Sequence, residues 1–243
     1  MRECAFGWTH CLTVAFLPKL LLTREISARM NNRARRTSTI TTNFERAAHE
    51  RGYRFVAGLD EVGRGALAGP VVAAAVILDL TKPLPEGLND SKQLTLKARE
   101  RIAAEVRASA VAFSIGEIEA AEIDRINILQ ATKRAMLHAL AALQPPADYL
   151  LIDALELSGV AVPQQAIIGG DAVSASIAAA SVVAKVYRDN LMREYDHAHP
   201  GYGFAQHVGY GTRAHLAALT EQGACPLHRR SFRPVSSIGG SDG

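Results

Sequence analysis

Cysteine is scarce in this chain of 243 residues, and what there is makes no recognisable arrangement. Cys4, Cys11 and Cys225 form neither a metal-type spacing nor a disulfide framework, so a reducing compartment and a cytoplasmic location are expected. Long apolar runs are missing too. None approaches the roughly 18 residues a bilayer span needs, so neither a transmembrane helix nor a membrane partner is expected. No internal repeat occurs, and low complexity is confined to the Gly/Ser-rich end, Ser236 to Gly243. Charge of one sign is also lacking in the body of the chain. The formal total is +3, yet residues 1–42 hold seven Lys/Arg against two Asp/Glu, leaving 20 against 22 for residues 43–243. A body so balanced exerts little long-range pull on a polyanion, so nucleic-acid binding would have to come from local basic patches.

A hydrophobic fraction of 48% is enough for a real core. The composition changes near residue 42. Residues 1–42 read as an extension, either disordered or reflecting a start assigned too early, with Met30 as the alternative beginning. Cys11 to Leu17 is apolar but is cut by Pro18 and followed by no convincing cleavage site, so a secretory signal fits poorly. Residues 43–235 read as one folded domain, and 236–243 as a flexible tail.

Within the domain, Asn43 is placed to cap a helix over Phe44 to Glu50. Phe55 to Asp60 reads as a strand and Val71 to Leu78 as a second, fully buried one. Thr95 is a good cap for a helix through Ala108, and Val111 to Ile115 suggests a third strand. A helical repeat of Leu129, Met136, Leu137, Leu140 and Leu143 predicts a helix from about Ile126 to Leu143, stopped by Pro145-Pro146. Tyr149 to Asp153 and Ala166 to Ile168 read as fourth and fifth strands. Ser174 to about Tyr195 reads as a long, alanine-studded helix, and Thr212 caps another to about Glu221. The fold class expected is α/β, a mixed five-stranded sheet flanked by helices, with a helical C-terminal segment. The first strands, closely linked, should be antiparallel, and helix-connected ones parallel.

Four acids stand out. Asp60 and Glu61 end the first strand, Asp153 ends the fourth, and Asp171 follows the fifth. Ligand sites in α/β folds gather at such strand ends. A carboxylate ending a buried strand is costly unless it is paired or meets a cation, and several converging acids repel unless a divalent ion lies among them. An all-oxygen set favours Mg²⁺ or Mn²⁺ over Zn²⁺. Any one of these acids reads equally well as a turn former, and Asp171 as a helix cap. The four together, on separate elements of one sheet, are harder to explain that way.

The first strand runs into Gly63-Arg64-Gly65-Ala66-Leu67-Ala68-Gly69-Pro70. A strand follows rather than a helix, and no Gly-Lys-Ser/Thr occurs, so neither a dinucleotide-binding loop nor a Walker loop fits. Glycines here leave backbone free to approach a phosphate, beside one guanidinium. Three histidines, His207, His215 and His228, read as structural rather than metal-binding. Ser174 and Ser181 lack the His/Asp partners of a nucleophile.

The run from Ala57 to Pro70 resembles the signature of the ribonuclease HII family. The resemblance continues through Asn89-Asp90-Ser91-Lys92-Gln93-Leu94, Leu151-Ile152-Asp153, Gly170-Asp171 and Ser176 to Asp189. It closes with Gly201-Tyr202-Gly203-Phe204, His207-Val208-Gly209-Tyr210 and His228 to Phe232, spanning roughly residues 53–235. It implies a ribonuclease H-type fold for the catalytic domain, 43–235. Asp60, Glu61, Asp153 and Asp171 match the family's catalytic, metal-holding acids, with two divalent ions, Mn²⁺ or Mg²⁺. Gly63, Arg64 and Gly65 match the loop that grips the ribonucleotide and senses its 2′-hydroxyl, and Tyr210 matches the aromatic that packs on the following sugar. Ser91, Lys92 and Lys185 are further candidate substrate contacts. The resemblance implies a monomeric endonuclease acting on RNA–DNA hybrids and on duplex DNA containing ribonucleotides, which leaves 5′-phosphate and 3′-hydroxyl ends during replication and repair.

Asp171, where the sister family ribonuclease HIII has Glu, and the short extension favour type HII. Gly169, Val173 and Val208 stand where basic residues are common, so weaker or more salt-sensitive binding is expected. Arg188, Arg213, Arg229, Arg230 and Arg233 are candidate contacts to a nucleic-acid backbone. The rival readings are a hybrid-binding module that has lost catalysis, a ribonuclease HIII-like enzyme, and an α/β phosphatase. The intact acid set opposes the first, and the lack of a phosphatase nucleophile motif opposes the last.

Overall fold

The structure is a computed structural model that describes residues 40–238; expectations for the first 39 residues and the last five lie outside them. Chain order is helix α1 (Asn43–Glu50), strands β1 (Val56–Val62) and β2 (Val71–Ile77), helix α2 (Leu96–Ser109) and strand β3 (Ala112–Ile118). Helices α3 (Ala120–Ile126) and α4 (Ile128–Ala142) lead to strands β4 (Tyr149–Asp153) and β5 (Gln164–Ile167). The long helix α5 (Ala175–Ala198) is followed by α6 (Phe204–His207), α7 (Arg213–Gln222) and α8 (Val235–Ile238). Single 3₁₀ turns stand at Ser91–Gln93 and Gly170–Ala172.

The five strands form one mixed sheet in the order β3-β2-β1-β4-β5. β2 runs antiparallel to β1 and to β3, while β4 runs parallel to β1 and to β5. α3 and α4 cover one face, where Ile123, Ala135, Met136 and Ala139 meet Leu59, Ala73, Leu150 and Ile152. α2 and α5 cover the other, with Ile102, Val106, Ala179 and Val183 against Val72, Ala74 and Val76.

Three expectations need correction. A helix joins β2 to β3, yet the pair is antiparallel. The segment leaving β2 runs back alongside α2: Lys82 reaches the Ser109 carbonyl, Glu86 meets Arg101, and Leu94 meets Arg99. That outward path and the returning helix cancel, so β3 begins beside the residue where β2 ended, Ala112 opposite Ile77. Second, the helix expected over 126–143 is two helices. Asn127 takes a φ of 67° with ψ 162°, a backbone position that breaks the helix, and caps α4 by accepting the Gln130 N–H. The buried face of α4 is Ala131, Thr132, Ala135, Met136 and Ala139, with Leu129 and Leu137 exposed, because small residues let it lie close on the sheet. Third, Asp60 and Glu61 stand inside β1, which continues to Val62. At the C-terminal end α8 extends to Ile238, and Val235 is buried. At the other end Thr41, counted with the extension, bridges to Ser174.

α5 runs along β1 and meets it at three levels. Ser176 lies against Gly58, Ser181 faces Asp60, and Arg188 lies against Gly63. Twelve helical residues and five extended ones both cover about 17–18 Å, so the two elements stay in step over that length.

Candidate active site

The acids gather at the carboxyl ends of the parallel strands. Asp60 follows the Leu59–Ile152 pair of the β1–β4 ladder, and Asp153 pairs with Ile167 where β5 ends. Asp171 sits in the 3₁₀ turn that leads into α5. Strand alternation splits the neighbours Asp60 and Glu61: Asp60 shares the α5 face with Gly58, whereas Glu61 follows Leu59 to the opposite side. Each acid is therefore delivered by backbone that the sheet and α5 already hold rigid.

Asp60 is 5% exposed and accepts the Glu61 N–H at 2.7 Å, with the Ser181 hydroxyl facing it. Burial first, and then the neighbouring Glu61, push its carboxyl well above the usual carboxylate range. Burial also raises Glu61 and Asp153, each of which feels a second acid. Asp153 accepts the Gly170 N–H at 2.7 Å, which ties β4 to the turn bearing Asp171. Arg64 bonds one oxygen of Glu61 at 3.1 Å, and Lys92 bonds Asp171 at 3.2 Å. The other Glu61 oxygen is buried and without a partner.

These side chains suit a divalent cation. The donors are all carboxylate oxygens, burial favours the protonated form of Asp60, Glu61 and Asp153, and one buried Glu61 oxygen has no hydrogen-bond partner. Among the described residues no three such groups already converge on a single point. Arg64 is paired with Glu61 and Lys92 with Asp171 at this rim.

The loop after β1 is clamped from beneath. Gly63 has a φ of 88°, and a Cβ there would lie 2.2 Å from the Arg188 guanidinium. Arg188 donates to the carbonyls of Pro70, Val208 and Ala68, while Arg229 donates to Gly69 and Arg64. Both side chains are wholly buried, so neither meets a nucleic-acid backbone, contrary to the sequence expectation. Their isolated cationic residues look like surface charges in sequence, and nothing local marks them as clamps. Arg213 and Arg230 stay exposed. Replacing Arg188 by Met would strand three carbonyls, and a loss of about 3 kcal/mol is expected in urea unfolding. Lysine should not rescue it, because only the planar fork spans all three acceptors.

Tyr210 is half-buried beside this loop, its ring 5.7 Å from the Arg188 guanidinium and its edge near Gly65. Lys92 is exposed at the acids, while Ser91 is buried and meets Ser181, which faces Asp60. Lys185 turns to Asp189 at 2.7 Å, in a buried ion cluster completed by Arg99. Arg99, which the sequence did not single out, also bonds the Ser91 and Leu94 carbonyls and so fastens the turn carrying Lys92. Of the positions expected to be basic, Gly169 is open with φ 67°, whereas Val173 and Val208 pack against apolar clusters.

The three histidines are structural partners of one another. His228 is lowered to about 4 by burial and by His215, and His215 is lowered by burial. His207 stacks on His215, and Arg230 and His199 act on His228 in the same direction. A histidine held below its unfolded value of 6.5 lends stability above that pH and loses it as pH falls toward about 4. Urea midpoints should therefore decline through this window, and His228→Gln should flatten the decline.

A mixed sheet in this order, with acids at its carboxyl rim, is an architecture shared with ribonucleases of the H class. The ribonuclease H2 of Pyrococcus horikoshii matches with a TM-score of 0.64 and 25% identity, over 76% of this chain and 97% of its own. The family model for ribonuclease HII matches residues 57–235, and this chain belongs to that family. Ribonuclease HII of Desulfitobacterium hafniense (strain DSM 10664 / DCB-2) is 56% identical over 184 residues, 76% of this chain and 70% of that protein. Ribonuclease HII of Geobacter metallireducens is 53% identical over 192 residues, covering 79% and 90%.

Proposed function

We propose that the domain from residue 43 to 235 cleaves the RNA strand on the 5′ side of a ribonucleotide, in RNA–DNA hybrids and at single ribonucleotides within duplex DNA, leaving 5′-phosphate and 3′-hydroxyl ends. The chain is a ribonuclease H, an endonuclease acting on RNA paired with DNA, and its family depends on divalent metal. The observation that carries the finer reading is the gathering of Asp60, Glu61, Asp153 and Asp171 at one rim, with a buried Glu61 oxygen left unpartnered.

Asp60 and Asp153 would be the central ligands of two Mg²⁺ or Mn²⁺ ions, with Glu61 and Asp171 beside them. When bound, such ions activate the attacking water and stabilise the leaving 3′-oxygen. The chain supplies the rest. Ser181 and the Glu61 N–H orient the Asp60 carboxylate, and the Gly170 N–H orients Asp153. Gly63, Arg64 and Gly65, held from below by Arg188 and Arg229, present backbone and one guanidinium to the ribonucleotide, whose 2′-hydroxyl separates RNA from DNA. Tyr210 packs on the sugar that follows, and Lys92 meets the substrate phosphate once it leaves Asp171. Work as a monomer in the cytoplasm, on newly replicated or damaged DNA, fits this chemistry. Among the described residues, no helix is long and apolar enough to cross a membrane.

The test is to map incision on a labelled DNA duplex carrying one ribonucleotide, beside a continuous RNA–DNA hybrid and an all-DNA duplex. Metal-dependent cutting 5′ to the single ribonucleotide, with all-DNA intact, is the expected result. Cutting of the hybrid alone would overturn the single-ribonucleotide reading.

A further inference from the structure

Cys225, His228, His215 and the Tyr210 carbonyl form one continuous hydrogen-bonded chain. Counting donors fixes its direction. The Cys225 N–H donates to Nδ1 of His228 at 3.0 Å, so that nitrogen is bare and His228 carries its hydrogen on Nε2. Nε2 of His228 faces Nε2 of His215 at 3.1 Å. His215 must therefore accept there and carry its own hydrogen on Nδ1, which donates to the Tyr210 carbonyl at 3.0 Å. His207 is locked in the same way. It accepts the Gly209 N–H on Nδ1 at 3.3 Å and donates from Nε2 to the Tyr202 carbonyl at 2.8 Å, while stacking on His215 with ring centroids 4.4 Å apart.

His207, His215 and His228 are all buried, so the chain is sealed from water. It ends on a residue whose ring is half-buried beside Gly65, two residues past Gly63 on the loop clamped by Arg188. Gly209, next to Tyr210, is itself stitched to that loop by accepting the Leu67 N–H at 2.8 Å. The only further bond on the Tyr210 carbonyl among the described residues is from the Thr212 N–H, at 2.8 Å.

We infer that His215 is a positioning residue: its Nδ1–H holds Tyr210 by the carbonyl and so aims the ring at the sugar beside the cut, and His228 acts behind it by fixing the tautomer that makes His215 a donor. This rests on the reading of Tyr210 as a sugar contact. Losing the bond frees the backbone at Tyr210 without touching the acids. The expected effect is on discrimination between a deoxyribose and a ribose at that position, not on the chemical step.

The experiment compares kcat/KM on a DNA duplex carrying one ribonucleotide with kcat/KM on a continuous RNA–DNA hybrid, and reads the ratio. His215→Asn puts an amide N–H where Nδ1 stands and keeps the donor to Tyr210. His215→Gln puts its amide nearer the Nε2 position, keeping a partner for His228 but losing that donor. The ratio should stay within about twofold for His215→Asn and fall about fivefold to tenfold for His215→Gln, chiefly through KM, which is the range expected for one net hydrogen bond. Cleavage of the continuous hybrid reports that each variant is folded, and His228→Phe reads the same link from its far end, with a fall expected. If the two His215 variants fall together, or neither falls, the inference is overturned. Tyr210→Ala separates the two levels. An unchanged ratio there removes the sugar-contact reading and the positioning role with it, whereas a collapsed ratio with both His215 variants unaffected overturns the positioning role alone.

Discussion

Asp60→Asn is expected to abolish cleavage and, in the same protein, to make the metal-free chain harder to unfold. Asp60 is almost wholly buried, and burial together with Glu61 raises its carboxyl well above the ordinary range. A group whose folded pKa is raised contributes stability in acid and loses that contribution as pH rises. At neutral pH the raised Asp60 carboxyl is therefore a cost that a cation would offset. Asparagine keeps the shape and the acceptor for the Glu61 N–H at 2.7 Å but removes the charge. Turnover should fall about 10³-fold or more, some 4 kcal/mol of barrier. Unfolding in urea with chelator should shift up by about 1–2 kcal/mol, the usual reward for relieving a functional site. The gain should vanish in acid, where the native carboxyl is protonated. Retained turnover would sink the proposed role of Asp60, and a loss of stability at neutral pH would sink the electrostatic account.

Gly58→Ala is expected to destabilise the fold strongly. A Cβ there would stand 2.1 Å from the backbone carbon of Ser176 and 2.4 Å from the Ile177 nitrogen, and neither can swing away as a side-chain tip could. α5 would have to lift from β1, and Ser181, five residues on, would leave Asp60. Overpacking of this kind costs about 3 kcal/mol. A matched control is Gly65→Ala, whose Cβ meets nothing nearer than 4.0 Å, with an expected stability change within about 0.5 kcal/mol. Thermal and urea unfolding of the two variants decide this. Equal stability would mean that β1 and α5 do not approach as closely as the structure has them.

Much of this arrangement was legible in the residues. The five strands, the Thr95 and Thr212 caps and the alanine face of α5 are local signals, and both caps accept an N–H in the first turn. Asn43, expected as a cap, instead lies inside α1, with Thr42 at the cap position. The four acids were legible because a carboxylate at the end of an apolar run is conspicuous. What the sequence hid was non-local. The antiparallel β2–β3 pair depends on a loop folding back along α2, which no periodicity records. Of the repeat read from leucine spacing, Met136, Leu140 and Leu143 do pack on the core. Leu129 and Leu137 are exposed because the close approach of α4 to the sheet selects alanine there. Arg188 and Arg229 look like any surface cation until the loop they hold has been placed above them. The tautomer chain of Cys225, His228 and His215 joins residues whose bonds exist only once α7 and the segment after it are packed.

The account stands or falls on the four acids acting as one divalent-cation site through which cleavage runs. The most direct measurement titrates Mn²⁺ into the metal-free chain and follows the thermal midpoint and the cleavage of a single-ribonucleotide duplex together. Both should rise over the same concentration range in the native chain, and neither should rise in Asp153→Asn. Cleavage that survives chelator, or full Mn²⁺ stabilisation retained by Asp153→Asn, would contradict the account.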